Sequence, residues 1–201
     1  MASSGSCRSN SRLRSGPIVG VLLAAGSATR FGADKLIVAL ADGTSLGVAS
    51  FTRLAAAVDD VVVVVRPDHR SLALKLAERG ARITVCPDAG DGMGVSLSWG
   101  VRAAPMAAGW VIALADMPWV RIETINAIVA ALREGALIAA PTYQGARGNP
   151  VAFAASLYDE LIALGGDEGA KRVLARHQTT LIKTDDPGVM LDVDKPSDLA
   201  R

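Results

Sequence analysis

Ile18-Val19-Gly20-Val21-Leu22-Leu23-Ala24, followed by Ala25-Gly26-Ser27-Ala28-Thr29-Arg30-Phe31-Gly32-Ala33-Asp34-Lys35-Leu36, is the stretch that decides the fold. Its first half is a continuous apolar run too short for a helix and rich in branched residues, as strands buried on both faces are. Its second half is small, glycine-containing and carries two cations, Arg30 and Lys35. Small residues let backbone N–H groups approach an anion closely, so such a loop after a buried strand suits adjacent phosphates. The spacing is neither a P-loop, since Gly26 to Gly32 is one residue too long and Lys35 does not follow Gly32, nor G-x-G-x-x-G. The residues alone leave open an ordinary strand–helix turn with solvated charges.

Outward from this stretch, apolar strand-sized runs alternate with segments of helical spacing. The pattern predicts a helix over Ser45–Ala57, a strand over Asp60–Val65, a helix over Asp68–Arg79 and a strand over Arg82–Cys86. It continues with a helix over Val95–Ala104, strand Trp110–Leu114, helix Ile122–Arg133 and strand Ala136–Ala140. Beyond Pro141 the pattern loosens into a strand over Pro150–Phe153, helices over Ala155–Leu164 and Glu168–Arg176, and short strands over Thr180–Thr184 and Val189–Val193. Strict alternation of strand and helix implies a three-layer α/β domain with a mainly parallel sheet. In such sheets ligands bind outside the carboxyl ends of the strands.

Composition narrows the function. The chain has 201 residues, half of them hydrophobic, enough for one domain with a sizeable core. Its formal net charge of +1 gives no broad nucleic-acid surface. Cys7 and Cys86 make neither a disulfide framework nor a zinc motif, which points to a reducing, cytoplasmic setting. Mean hydropathy is positive at +0.32, yet no run approaches the roughly 20 apolar residues of a membrane span. Residues 1–16 lack an apolar signal core and read as a disordered tail, leaving 17–201 as the domain.

Four further segments are candidates for chemistry. Asp116 directly follows the Trp110–Leu114 strand in Asp116-Met117-Pro118, where a carboxylate is a natural Mg²⁺ ligand beside phosphates; it lies too far ahead of Ile122 to be a simple helix cap. Asp88–Ser96 (DAGDGMGVS) is glycine-rich and precedes a helix, so it is equally a wrap for a base or ribose and a plain turn. Gly145–Pro150 places Arg147 in a tight turn that the residues alone favour as a hairpin. Asp192 and Asp194 alternate along the Val189–Val193 strand end, where a second metal carboxylate or a helix cap fits equally. His69 and His177 stand alone and read as structural.

Taken in order, LAAG-x-x-x-R-x-G-x-x-K, then Asp116-Met117-Pro118, then the terminal D-x-P-x-D-L resemble the MobA-like nucleotidyltransferase superfamily over about residues 17–200. Gly92-Met93-Gly94-Val95-Ser96-Leu97, Arg147–Phe153 and Gly166–Lys171 are similar to the molybdenum-cofactor cytidylyltransferases within it. The resemblance implies a Rossmann-like α/β/α nucleotidyltransferase fold with a mainly parallel mixed sheet. It implies Leu23, Ala24, Ala25, Gly26, Arg30, Lys35, Asp88, Gly92, Gly94 and Ser96 around the nucleotide, with Lys35, Arg30 and Asp116 catalytic. It further implies Mg²⁺ on Asp116 and Asp194, and Arg147, Gly148, Asn149 and Asp167 toward the acceptor. The expected reaction is transfer of CMP from CTP to molybdopterin with release of pyrophosphate, the product passing to a recipient molybdoenzyme. Ala24-Ala25, in place of Ala-Gly, goes with cytidine instead of guanosine in that family. Lys171 stands where the family has arginine, a point charge in place of a bidentate fork. Guanylyl transfer, transfer to a sugar or alcohol phosphate, and a non-catalytic cofactor carrier are the alternatives.

Overall fold

The computed structural model describes residues 16–26 and 35–200. In chain order the strands and α-helices are β1 (Ile18–Ala24), α1 (Leu46–Ala55), β2 (Asp60–Val65), α2 (Arg70–Ala77), β3 (Arg82–Val85), α3 (Met93–Arg102) and β4 (Gly109–Leu114). They continue with α4 (Ile122–Arg133), β5 (Ile138–Tyr143), β6 (Ala146–Arg147), β7 (Val151–Ala154), α5 (Tyr158–Ile162), α6 (Lys171–Arg176) and β8 (Thr180–Lys183). The sheet runs β3-β2-β1-β4-β7-β5-β6, with β8 parallel to β5. β3, β2, β1 and β4 are parallel neighbours; β7 inserts antiparallel between β4 and β5 and makes the sheet mixed.

Every residue of β1 is buried, which its unbroken apolar run requires of a strand covered on both faces. Alternation sends Ile18, Leu22 and Ala24 into one core layer, against Phe51 and Leu54 of α1, Leu72 and Leu76 of α2, and Ile125 and Ile128 of α4. Val19, Val21, Leu23 and Ala25 enter the other, against Leu97 and Val101 of α3, Leu161 of α5 and Val173 of α6. β2 divides the same way, Val61, Val63 and Val65 against Val62 and Val64. The result is the expected three-layer α/β/α domain.

The chain runs outward from β1 to β2 and β3, then returns through α3 to place β4 on the other side of β1. The strand order therefore reverses between β1 and β4, the point at which open α/β sheets bind ligands.

The late part of the chain differs from the sequence reading. Val189–Val193 is not a strand: a 3₁₀ turn at Pro187–Met190 leads into irregular chain over 191–194, so Asp192 and Asp194 share no strand face. Pro187 starts the turn and Asp186 accepts from the Gly188 amide, local bonding that competes with a sheet ladder. The helix read over Ala155–Leu164 splits into a 3₁₀ turn and the five-residue α5, and that read over Glu168–Arg176 starts only at Lys171, after Gly169 at φ +56°. Among the described residues, no helix is long and apolar enough to cross a membrane.

Candidate active site

A cleft of about 290 Å³ opens at the carboxyl ends of β1, β2 and β4. β1 delivers Leu23, Ala25 and Gly26 to its wall; β2 delivers Arg66, the residue after its last valine; β4 delivers Leu114 and Asp116. Lys35 enters from a short 3₁₀ turn, Lys35–Ile37, anchored by the buried Leu36.

The centre of the site is a lysine between two carboxylates. Lys35 Nζ donates to Asp116 Oδ2 at 2.8 Å and to the Val193 carbonyl at 2.8 Å, and lies 3.8 Å from Asp194 Oδ1. The Lys35 side chain is 14% exposed, Asp116 24% and Asp194 57%. Among these three described residues, two carboxylates around one ammonium leave one formal negative charge, which favours a further cation there. Asp116 itself is fixed by main-chain bonds: Val193 N donates to its carbonyl at 3.0 Å, and the preceding Ala115 is bonded to Leu23 and to the Ser50 hydroxyl. The aspartate thus caps no helix; Arg121 is the N-cap residue of α4.

The donor set suits a hard cation that shares its shell with substrate. Mg²⁺ takes near-octahedral oxygen ligands and is held by one or two carboxylates plus substrate phosphates. Among the described residues, no group of three or more His, Cys, Asp or Glu is placed to hold a metal, so an all-protein cage is not what Asp116 and Asp194 offer. Two oxygen donors beside a cationic lysine fit a metal that arrives with a triphosphate.

The opposite wall is the glycine-rich loop. Ala89, Gly90, Gly92, Met93 and Ser96 line the cleft. Gly92 sits at φ +120°, and a Cβ there would run into the Gly166 main chain; only glycine satisfies both conditions. Gly94 N donates to Gly166 O at 2.8 Å, so Gly94 serves the packing of this loop onto 165–167 and is absent from the cleft wall. That packing brings Asp167 into the same cleft as Lys35 and Asp116. Asp88 starts the 3₁₀ turn Ala89–Asp91 and also lies outside the lining. Cys86, just upstream, is fully buried, and desolvation pushes its thiol pKa up.

The remaining sequence-predicted residues divide. The Ala24 side chain points into the core layer away from the glycine-rich loop, and its carbonyl lies 3.1 Å from His69 Nδ1. His177 Nε2 is 2.7 Å from Glu160 Oε1, so both histidines have structural partners. Arg147, Gly148 and Asn149 do not line the cleft. Arg147 is exposed on β6, the Gly148 and Asn149 amides donate to Pro141 and Val189 carbonyls, and Asn149 lines a small separate cavity with Ser50 and Arg53. Leu114 borders both cavities. Arg30 lies outside the described residues.

Arg66 was not singled out by the sequence reading, although the rule that finds Asp116, a charged residue directly after a buried parallel strand, finds it too. Its Nε is 3.3 Å from Asp68 Oδ1, and its side chain is 30% exposed. The Asp68 carboxyl titrates below its ordinary value, chiefly through a backbone hydrogen bond, with Arg66 and His69 adding their charge.

Lys35, Asp116 and Asp194 meet at the switch point of a mainly parallel sheet, where open α/β sheets bind their ligands, an arrangement compatible with an enzyme that handles phosphates. Residues 20–180 match the MobA-like NTP transferase domain, and the chain belongs to that family: it is a nucleotidyltransferase. It is 36% identical over 199 residues to the purine catabolism protein PucB of Bacillus subtilis (strain 168), covering 92% of this chain and 96% of PucB. It is 31% identical over 141 residues to the phosphoenolpyruvate guanylyltransferase of Sphaerobacter thermophilus, covering 70% and 68%. Among solved structures, Rv0371c of Mycobacterium tuberculosis H37Rv superposes with a TM-score of 0.81 at 28% identity, covering 92% and 96%. That protein has also been crystallised as a manganese complex, which superposes at 0.78.

Proposed function

We infer that this nucleotidyltransferase moves CMP from CTP to molybdopterin and releases pyrophosphate, with Mg²⁺ as its metal and the cytoplasm as its setting. The observation that carries the nucleotide choice is Ala25. Ala25 lines the cleft where the chain leaves β1, beside Gly26, and carries a methyl where glycine would have none. A pyrimidine leaves room for that methyl; a purine needs the space it fills. The ordered blocks shared with molybdenum-cofactor cytidylyltransferases supply the acceptor.

The chemistry follows from charge. An oxygen of the acceptor phosphate attacks the α-phosphorus in line, one new P–O bond forms, and the bond to pyrophosphate breaks. Bound to Asp116 and Asp194 and to phosphate oxygens, Mg²⁺ would neutralise charge on the triphosphate. Lys35 turns its ammonium toward the leaving phosphates, and Arg30 adds a second cation. Ala25, Gly26 and the wall of Ala89, Gly90, Gly92, Met93 and Ser96 hold base and ribose, and Asp167 faces the incoming acceptor. A phosphate monoester is already ionised near neutral pH, so the attack needs no histidine base.

Guanylyl transfer is the second reading, favoured by the 31% identity to a guanylyltransferase. Pyrophosphate release from each of the four NTPs with Mg²⁺, in the presence of molybdopterin, a sugar phosphate or an alcohol phosphate, separates the readings. CTP with molybdopterin is the expected pair. GTP preference would replace the nucleotide assignment, another acceptor would replace the pterin, and acceptor binding without pyrophosphate release would indicate a carrier.

A further inference from the structure

The turn that carries Asp116 and the C-terminal segment that carries Asp194 come from distant parts of the chain, yet they are bonded along their length in opposite directions. At one end Asp186 Oδ2 accepts from Arg121 N at 2.8 Å and from Thr124 Oγ1 at 2.9 Å, while Oδ1 accepts from Gly188 N at 2.8 Å. In the middle, Gly188 lies flush on the Trp119 main chain, where a Cβ would strike the Trp119 carbonyl. At the other end Val193 N donates to the Asp116 carbonyl, and the Val193 carbonyl accepts from Lys35 Nζ.

Among the described residues, Asp186 is 1% exposed, the more deeply buried of the two buried aspartates, and the one cation in ion-pair range is Arg121 Nε at 3.9 Å. A carboxylate this deep is costly unless hydrogen bonds satisfy it, and three donors from two elements do so. Those same bonds fix where residues 187–193 lie against residues 116–121. Residues 191–194 belong to no helix or strand, so Asp194 has no sheet ladder to place it. Its amide is held from the far side by Asp198 Oδ2 at 3.1 Å.

We propose that Asp186 is a positioning residue for the active site: it registers segment 186–194 against the 116–121 turn and so sets the spacing of Lys35, Asp116 and Asp194. This rests on reading those three residues as the metal and triphosphate site. Asp186 acts through the chain and through Val193, at a distance from the reacting atoms.

The test uses the full chain with Asp186→Asn and Asp186→Ala, and reads three quantities below the melting temperature. These are Mn²⁺ binding with CTP present and acceptor absent, followed by water-proton relaxation; amide exchange over residues 187–195; and kcat against KM for CTP. Outer partners of metal ligands commonly change metal affinity or activity by about 10–100-fold. The expected result is Mn²⁺ half-saturation raised by about tenfold or more, faster exchange at Val193 and Asp194, and kcat lowered more than KM is raised. Folded variants with wild-type Mn²⁺ binding and kcat overturn the proposal, whatever their melting temperature. Should Asp186→Ala not fold, Asp186→Asn and Thr124→Val carry the same test by the same criteria. Asp116→Ala is the control: if it binds Mn²⁺ like wild type, the metal-site reading itself fails. If it loses Mn²⁺ while the Asp186 variants keep it, only the positioning role falls.

Discussion

Asp116 carries the sharpest prediction at the scale of single residues. It is held by main-chain bonds to Val193 and its side chain by Lys35, so its position does not depend on the carboxylate alone. Asp116→Ala is expected to keep the fold and lose about 10²-fold or more in kcat, the usual cost of removing a group that stabilises developing charge. Near-normal Mg²⁺-dependent turnover in a folded variant would contradict the assignment. We propose that Ala25 biases nucleotide choice by one methyl. Such a group discriminates by about 1–3 kcal/mol at most, so Ala25→Gly should raise GTP use relative to CTP without necessarily inverting it. CTP and GTP competing in one assay measure the ratio, and an unchanged ratio removes Ala25 from the explanation. Cys86 makes the opposite kind of prediction. Burial raises its thiol pKa, so little thiolate exists at neutral pH and none of it is reachable. Site-mapped alkylation should leave Cys86 unmodified in native protein and modify it in denaturant; labelling of the native chain would show that the core around Cys86 opens.

The elements that were legible in the sequence are those with an unambiguous period. Asp60–Val65 and Ile122–Arg133 are found where the sequence reading put them, because a β-branched run fenced by charges and a clean apolar stripe admit few alternatives. Lys35 and Asp116 were legible by residue type and place, a cation in the glycine-containing loop after β1 and an acid just past β4, and the fold brings the two together. What was not legible depends on contacts far apart in sequence. Val189–Val193 reads as a strand by composition, but Asp186 ties the chain just ahead of it to the start of α4 and Gly188 presses that chain onto Trp119. The segment therefore becomes a strap across the site, and Asp194 reaches Lys35 from irregular chain. Asp167 was read as facing the acceptor; the Gly92–Gly166 packing that brings it into the cleft wall is a tertiary contact with no local signature. Close approach also fixes α3 on the sheet. A Cβ at Gly100 would collide with Val21 of β1 and Val64 of β2. Gly100→Ala should therefore destabilise by about 1–3 kcal/mol as overpacking does, despite alanine's better helix propensity, and the denaturation midpoint measures it. A stabilised variant would mean that α3 can shift without loss.

On the scale of the whole molecule, the described residues form one α/β/α unit with the candidate site at the carboxyl ends of its central parallel strands. Residues 1–15 carry no apolar periodicity and no acids, and we propose that they contribute nothing to that unit. A chain starting at Gly16 is expected to match the full protein in melting temperature and turnover; a lower melting point or lost turnover would show that the segment is part of the domain. The central claim is that the α-phosphorus, and not the γ-phosphorus, is attacked at the Lys35–Asp116–Asp194 site. The most direct measurement follows isotopic label from CTP into acceptor and small products, with Mg²⁺ and molybdopterin present. The account predicts that α-label appears in the acceptor and that β- and γ-label leave together as pyrophosphate. Label from the γ-position in the acceptor, or release of unlabelled acceptor with CTP intact, would contradict it.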